Sequence, residues 1–490
     1  MSRLLSFHDS NEGGYTVLSQ EPDSIDDSDP DAEFGGSLKR IELEQSLVRR
    51  LDTRMSILIL IYILNYIDRN NVAAARLKGF EEDLQLKGQE FNTILSILYI
   101  GYTLMQVPSN MFLNHIGRPS LYLPTCMILW GGFSFLTGFA RNFYDALILR
   151  FLLGFVEAAF FPGALFLLSK WYKRDELGLR TALLFCGCLI SNAFGSLIAS
   201  GILSSMEGMY GRSAWRWLFY VEGTITILVA FLSIFILPDF PANSNWLTPI
   251  ERRLAEKRLE EEVGISDNEL SEKPGHTAGL IMAFSDWKVW WLAVALSFMI
   301  VAFSFNAFFP TLTKTLGYSD TVTLLLCAPP WLVATVCAFY TSRHSDAHQE
   351  RFYHIMVPVI VGILGFLLAA SSMNFWTRYI SLFLMAQMYS GFVTFLAWAS
   401  NTIARPPSKR AVALAFINAF SQLGNIIGSY IWQSTWGPTY RSSYMICTML
   451  SVVSLLMCFL FRSHLAFLNK EIERKEEGSE DSRKGFRYML

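Results

Sequence analysis

The chain is poor in charge for its length. Of its 490 residues only 17% are Asp, Glu, Lys or Arg, while 52% are hydrophobic and 39 are Phe. A soluble globular domain carries about 25% charged residues, so this balance excludes a water-soluble enzyme of this size. There is no basic excess either. The net charge of -2 leaves no phosphate-binding surface to expect, and no nucleic-acid partner. Metal and thiol patterns are missing: Cys126, Cys186, Cys188, Cys327, Cys337, Cys447 and Cys458 all fall in apolar runs without a C-x-x-C pair and read as small core hydrophobes. The seven histidines (His8, His115, His276, His344, His348, His354, His464) lie in tails, loops or span ends, with no H-E-x-x-H or G-x-S-x-G among them. No enzyme, metal or cofactor is therefore expected. The N-terminal stretch contains SIDDSDPDAEFGG and no apolar run, so it lacks a cleavable signal peptide and reads as disordered.

What is abundant is long apolar runs. A membrane span needs about 20 apolar residues, and such runs fall at roughly 54–75, 91–114, 119–140, 143–169, 180–204, 214–238, 284–309, 320–341, 353–373, 377–402, 411–434 and 441–462. The expected fold is an all-α polytopic membrane protein, with twelve transmembrane helices in two six-helix bundles. The expected domains are a disordered tail 1–50, bundles 51–238 and 284–465, a central loop 239–283 and a tail 466–490. Basic residues orient the spans. Lys39, Arg40, Arg49, Arg50 and Arg54, then Lys170, Lys173, Arg174 and Arg180, then Arg343 and Arg351, then Arg405, Lys409 and Arg410, and finally Lys470 and Arg474 all belong to one side. Both termini are thus expected in the cytoplasm. In the central loop, WLTPIERRLAEKRLEEE predicts a surface helix with Thr248 as N-cap, Pro249 at its first position and Glu251 closing a capping box.

A six-plus-six layout implies two related bundles around a central site. LRTALLFCGCLISNAFGS in span five and KRAVALAFINAFSQLGNIIGS in span eleven share a basic start, small residues, an Asn and a Gly. Gly187, Ser191, Gly195 and Ala199, like Gly424 and Gly428, form stripes suited to close packing.

Charges inside the spans carry the functional signal. LRFLLGFVEAAFFPG sets Arg150 and Glu157 seven residues apart, on one helix face at two depths about 10 Å apart. An ionised group facing lipid costs at least about 2.5 kcal/mol, so that face implies a protein-lined or watery interior. NYIDRNN in span one adds Asp68 and Arg69. Helix rise predicts Asp68, Arg69 and Arg150 in one layer with Glu157 deeper, and leaves open an Asp68–Arg150 pair that only fixes packing. Spans seven to twelve hold no central acid, only Asn306, Gln387, Ser390, Thr394, Asn401, Asn418, Gln422 and Asn425, with Trp398 among them. That half is expected to give hydrogen bonds and an aromatic wall for an organic solute.

The chain resembles a major facilitator superfamily transporter and, within it, the anion:cation symporter family, in the branch of fungal allantoate and nicotinate permeases. The matches are YILNYIDRNN, YIGYTLMQVPSN, RFLLGFVEAAFFPG followed by SKWYKRDELGLR, WRWLFYVEG, SDAHQER and KRAVALAFINAFSQLGNIIGSYIW. The resemblance implies proton-coupled uptake of a small organic anion, with Asp68 and Glu157 as proton-coupling groups and Arg69 and Arg150 on the substrate carboxylate. Tyr66 and Tyr102 are weaker candidates for substrate hydrogen bonds. Trp398, Asn401, Asn418 and Gln422 are the second half's candidates. The loop NHIGRPS departs from the family by lacking the acid of G-x-x-x-D-R, which Ser345, Asp346 and Arg351 partly keep in the second half. On physical grounds, an anion that engages Arg150 removes the compensation of nearby carboxylates, so proton and anion bind together. A proton-driven exporter of a drug or secondary metabolite and a nutrient sensor stay open as alternatives. The expected partners are protons, a small organic anion and the lipid bilayer, for a monomer in the plasma membrane.

Overall fold

The computed structural model describes residues 31–244, 246–267, 276–403, 407–477 and 487–490, and among these every regular element is a helix. Among the described residues, ten helices are long and apolar enough to cross a membrane. They are Pro119–Thr137, Phe143–Ser169, Glu176–Ser205 and Ala214–Ile236 in the first half, then Trp287–Lys314, Asp320–His348, Phe352–Ser371, Phe375–Thr402, Val412–Ser429 and Arg441–Arg474. Two more polar rods, Ile57–Ala75 and Glu90–Ile116, precede them. Together these match the expected spans one to twelve. Span one falls below the ten in apolar character because it carries the run Asn65 to Asn71.

Helix contacts are closest where glycine lets backbones meet. A Cβ on Gly154 would lie 2.1 Å from the Leu98 carbonyl oxygen, which clamps span four onto span two. In the second half a Cβ on Gly424 would stand 2.6 Å from the Ser297 carbonyl oxygen, clamping span eleven onto span seven. The glycines predicted as a stripe in span five are looser: Gly195 leaves 3.3 Å to Ile67 of span one.

Several spans are interrupted midway. Span four breaks between Glu157 and Phe160, where Pro162 cannot donate to the carbonyl four residues back. Span seven passes through a 3-10 stretch at Ser304–Phe308, and spans ten and eleven break at Gln387 and Gln422. Such interruptions are tolerated where backbone is buried in protein or lines a cavity.

The stretch 1–50 expected to be disordered contains the helix Ser37–Met55; its first thirty residues lie outside the described residues. The helix forms because Leu47, Leu51 and Met55 bury one face while its charges are clasped. Arg258 of the central helix Pro249–Asp267, itself buried, donates to Glu44 at 2.8 Å and to Glu176 at 2.6 Å. Lys173 reaches Glu44 at 2.7 Å, Arg180 holds Asp52 at 2.8 Å, and Arg50 pairs with Glu251. The capping box of the central helix is present, with the Glu251 amide on Thr248 Oγ1 at 3.3 Å and the Thr248 amide on Glu251 Oε2 at 3.0 Å. Residues 487–490 return to the second bundle, where the Leu490 carbonyl accepts from the Arg351 amide at 2.6 Å.

Between the bundles, polar contacts gather at the end remote from the termini. Lys78 stands 3.5 Å from Asp320, Ser200 Oγ donates to the Thr321 carbonyl at 3.0 Å, and the Thr93 and Tyr430 hydroxyls lie 3.1 Å apart. These contacts hold the two bundles together at that end.

Candidate functional site

Between the bundles lies a cavity of about 980 Å³, counting the space at its mouth. Its first-half wall includes Asn65, Tyr66 and Arg69 of span one and Tyr99 and Tyr102 of span two. The Arg69 guanidinium sits 4.9 Å from the Tyr66 ring and 5.0 Å from the Tyr102 ring, so aromatic faces share its charge. Behind it, Glu157 Oε1 accepts from Arg69 Nε at 3.0 Å and from Nη2 at 2.9 Å. Both nitrogens use one oxygen. Glu157 Oε2 is buried without a partner, and Glu157 sits just before the break in span four.

The second-half wall is neutral. Phe303 stacks on Tyr389 at 4.7 Å and meets Phe392 edge-on at 5.8 Å, while Asn306, Asn418 and Gln422 present amides. The helix interruptions bring these groups out, since Asn306 lies in the 3-10 stretch of span seven, Gln422 at the break of span eleven, and Tyr389 just past that of span ten. Phe185 of span five and Phe392 of span ten meet across the bundles at 6.3 Å.

The expected site residues separate into three groups. Arg69, Tyr66, Tyr102, Asn418 and Gln422 line the cavity, and Glu157 is tied to it through Arg69. Asp68 and Arg150 do not line it. Asp68 turns into its own bundle, where Oδ1 accepts from Ser134 at 2.8 Å and Oδ2 from Thr226 at 2.7 Å. Arg150 donates to main-chain carbonyls of span one, at 2.9 Å to Arg69 and 3.5 Å to Asp68, and pins spans four and one together. The cation in direct contact with Glu157 is thus Arg69, and Arg150 stands behind it on the main chain of span one. Neighbouring helical residues point about 100° apart, so Asp68 and Arg69 cannot share a face.

Trp398 and Asn401 form the third group, and their placement as cavity wall is corrected. Trp398 Nε1 donates to the Met489 carbonyl at 3.0 Å, and Asn401 Nδ2 lies 3.4 Å from Met489 Sδ. They come eleven or more residues after the break at Gln387, about 16 Å further along span ten toward the termini end. The aromatic wall is built instead by Phe303, Tyr389 and Phe392, which sequence reasoning missed because aromatics occur throughout these spans. Tyr99 was also missed, although it precedes Tyr102 by three residues and so shares its face.

The descriptor of the Major Facilitator Superfamily matches residues 58–429. Among relatives, "MFS-type transporter cnsO" of Penicillium expansum is 30% identical over 411 residues, covering 81% of this chain and 78% of that protein. A "Putative tartrate transporter" of Agrobacterium vitis is 29% identical over 430 residues, covering 86% and 93%. Among solved structures, a bacterial homolog to the human lysosomal transporter Spinster, inward-facing and occupied, superposes with a TM-score of 0.64 at 16% identity, over 83% of this chain and 95% of that one. That likeness is one of fold.

Proposed function

We propose a proton-coupled cycle for this chain, which belongs to the Major Facilitator Superfamily and is a multi-pass membrane transporter of small molecules. Its cargo is a small organic carboxylate, moved together with a hydrogen ion by alternating access. The observation that carries this reading is the Arg69–Glu157 pair at the cavity wall, where Nε and Nη2 both spend themselves on one carboxylate oxygen. A carboxylate entering the cavity competes for the same guanidinium, and a planar fork suits it. Glu157, 1% exposed, then loses the one cation that touches it among the described residues. An isolated buried carboxylate is strongly disfavoured, so it takes a proton. Anion and proton load together, and releasing the anion restores the pair.

Tyr66 and Tyr102 hold the guanidinium and offer hydroxyls, Phe303 and Tyr389 accept an apolar body, and Asn418 and Gln422 offer amides to polar substituents. Asp68 is a second proton group of this reading, and Arg150 positions the backbone beneath both. The tartrate named for the Agrobacterium vitis relative agrees in kind with such a cargo. We place both termini in the cytoplasm, from the basic residues of the loops on the termini side, and the chain in the plasma membrane as a monomer, by its resemblance to the fungal permeases.

The test is uptake of labelled carboxylates, tartrate and nicotinate among them, into proteoliposomes with and without an inward proton gradient. Acceleration by the gradient for at least one carboxylate is expected. Uptake indifferent to the gradient for every carboxylate taken up would overturn the coupling, and failure to take up any carboxylate would overturn the cargo class.

A further inference from the structure

We propose that Glu222 is a further hydrogen-ion site of the first bundle, working as a pair with Asp68 across the contact between spans one and six. This rests on the proton-coupled reading above and extends it to a residue that reading does not use.

The register follows from one hydrogen bond. Spans one and six run antiparallel, and Thr226 Oγ1 donating to Asp68 Oδ2 at 2.7 Å fixes their alignment. Glu222 precedes Thr226 by one turn on span six, and Asn71 follows Asp68 by three residues on span one. Both displacements lead toward the far end, so Glu222 comes to face Asn71, about 6 Å along the axis from the level of Asp68. Glu222 is 3% exposed, and neither of its carboxyl oxygens has a hydrogen-bond partner; the Asn71 amide nitrogen is equally unpartnered.

No cation compensates Glu222 among the described residues. Span one offers the carboxyl of Asp68, which is not a cation, and the amide of Asn71. Span three offers the neutral Trp130, Ser134 and Thr137. The turn Arg76–Lys78 carries two cations, but Arg76 pairs with Glu81 at 3.0 Å and Lys78 lies 3.5 Å from Asp320. A bare carboxylate in such a place is disfavoured by several kcal/mol, so Glu222 rests as the neutral acid. Asp68, given two hydroxyl donors, is the better anion of the two. Two acids this close titrate as a unit, because protonating one lifts the repulsion that keeps the other neutral.

A route to water is also present. A second cleft between the bundles, about 420 Å³ counting the space at its mouth and lined by Asn70, Asn71, Asn192 and Ser196 of the first half and Asn306 and Phe309 of the second, reaches Asn71. The proton step balances through water: the Glu222 carboxyl gives its proton to a water, a hydronium protonates the Asp68 carboxylate one turn away, and when Asp68 gives that proton back to water Glu222 regains its own. Glu222 lies eight residues into span six and Glu157 fourteen residues into span four, or about 12 and 21 Å from the far face. The acids step inward toward the cavity.

Two measurements on the full chain test this. In infrared difference spectra of the lipid-reconstituted protein after a pH step, the wild type should show a protonated-carboxyl band that titrates and is absent from Glu222→Gln. In Asp68→Asn that band should remain with its midpoint moved by about one pH unit or more. In proteoliposomes Glu222→Gln, nearly isosteric with the neutral acid, should lose roughly tenfold in gradient-driven uptake while keeping substrate exchange. A Glu222 band that never titrates marks a permanently neutral structural acid and overturns the proposal, as does a spectrum unchanged by Glu222→Gln. If wild-type uptake ignores the gradient while the infrared coupling stands, the symport reading fails and the carboxyl pair survives.

Discussion

The two bundles bury their charges for opposite ends. In the second, Arg378 is buried near the far end, and its guanidinium is saturated by Thr315 Oγ1 at 2.8 Å and by the carbonyls of Ser372, Pro438 and Thr439. Nothing there invites a substrate. In the first, Glu157 Oε2, both oxygens of Glu222 and the Arg150 Nε are buried without partners, and the one cation at the cavity, Arg69, is held by a single carboxylate oxygen. Saturated charge is structural, because removing a partner only uncovers a cost. Under-saturated charge can exchange partners, because a ligand or proton has somewhere to bind. At the cavity the second bundle therefore presents a neutral surface against which the first one titrates.

The strongest way to break this contrast is to exchange the two arginines. Breaking a buried ion pair is worth about 3–5 kcal/mol, so Arg69→Lys, which gives up the planar fork, should lower carboxylate uptake on the order of 100-fold with surface expression retained. Arg378→Lys should lower the thermal midpoint of the purified protein and leave the proton dependence of uptake unchanged. Equal loss of uptake in both would end the distinction.

Glu157→Gln comes next. A neutral amide cannot cycle a proton, so the response to an imposed gradient should fall roughly tenfold while exchange of labelled for unlabelled substrate persists. Loss of exchange as well would make Glu157 a part of folding or binding and not of coupling.

On the neutral side, Phe303→Ala removes the stacked partner of Tyr389. Loss of an aromatic contact of this kind amounts to about 0.5–1.5 kcal/mol beyond area, so KM should rise roughly three- to tenfold. The pH profile should stay where it was.

The smallest effect belongs to the clasp at the termini end. Burial pushes Glu44 up, but Lys173 and Arg258 outweigh it and hold this carboxyl below its ordinary value of 4.5. A depressed acid stabilises the folded form above its unfolded value, and that contribution disappears as pH falls through the lowered one. Docking of the helix Ser37–Met55 should therefore be unchanged from pH 7 to about 5, and proteolysis in that helix should quicken below about pH 4.5. Glu44→Gln should remove that acid step.

Which parts of this were legible beforehand depends on whether a residue's depth or its direction was needed. Depth along a helix is a count, so Asp68 and Arg150 were placed at one level, and Arg150 does reach the carbonyls at 68 and 69. Direction was not available, and it sent Asp68 to Ser134 and Thr226 and left Arg69 to the cavity. Trp398 was read as part of an aromatic wall and not as the neighbour of Met489, 91 residues away in the chain. Glu222 stood in plain view within WRWLFYVEG, and a glutamate in an apolar run was the signal that would have found it.

The sequence alone determined that this chain is a twelve-span membrane protein whose ionisable groups concentrate in its first half, because apolar length and the cost of buried charge are set by composition along one dimension. Only the tertiary structure decided which arginine meets which acid, which aromatics form the wall, and that Glu222 comes to face Asn71 one turn from the level of Asp68. Those pairings depend on the rotation and register of packed helices, and many side chains far apart in the chain fix them together.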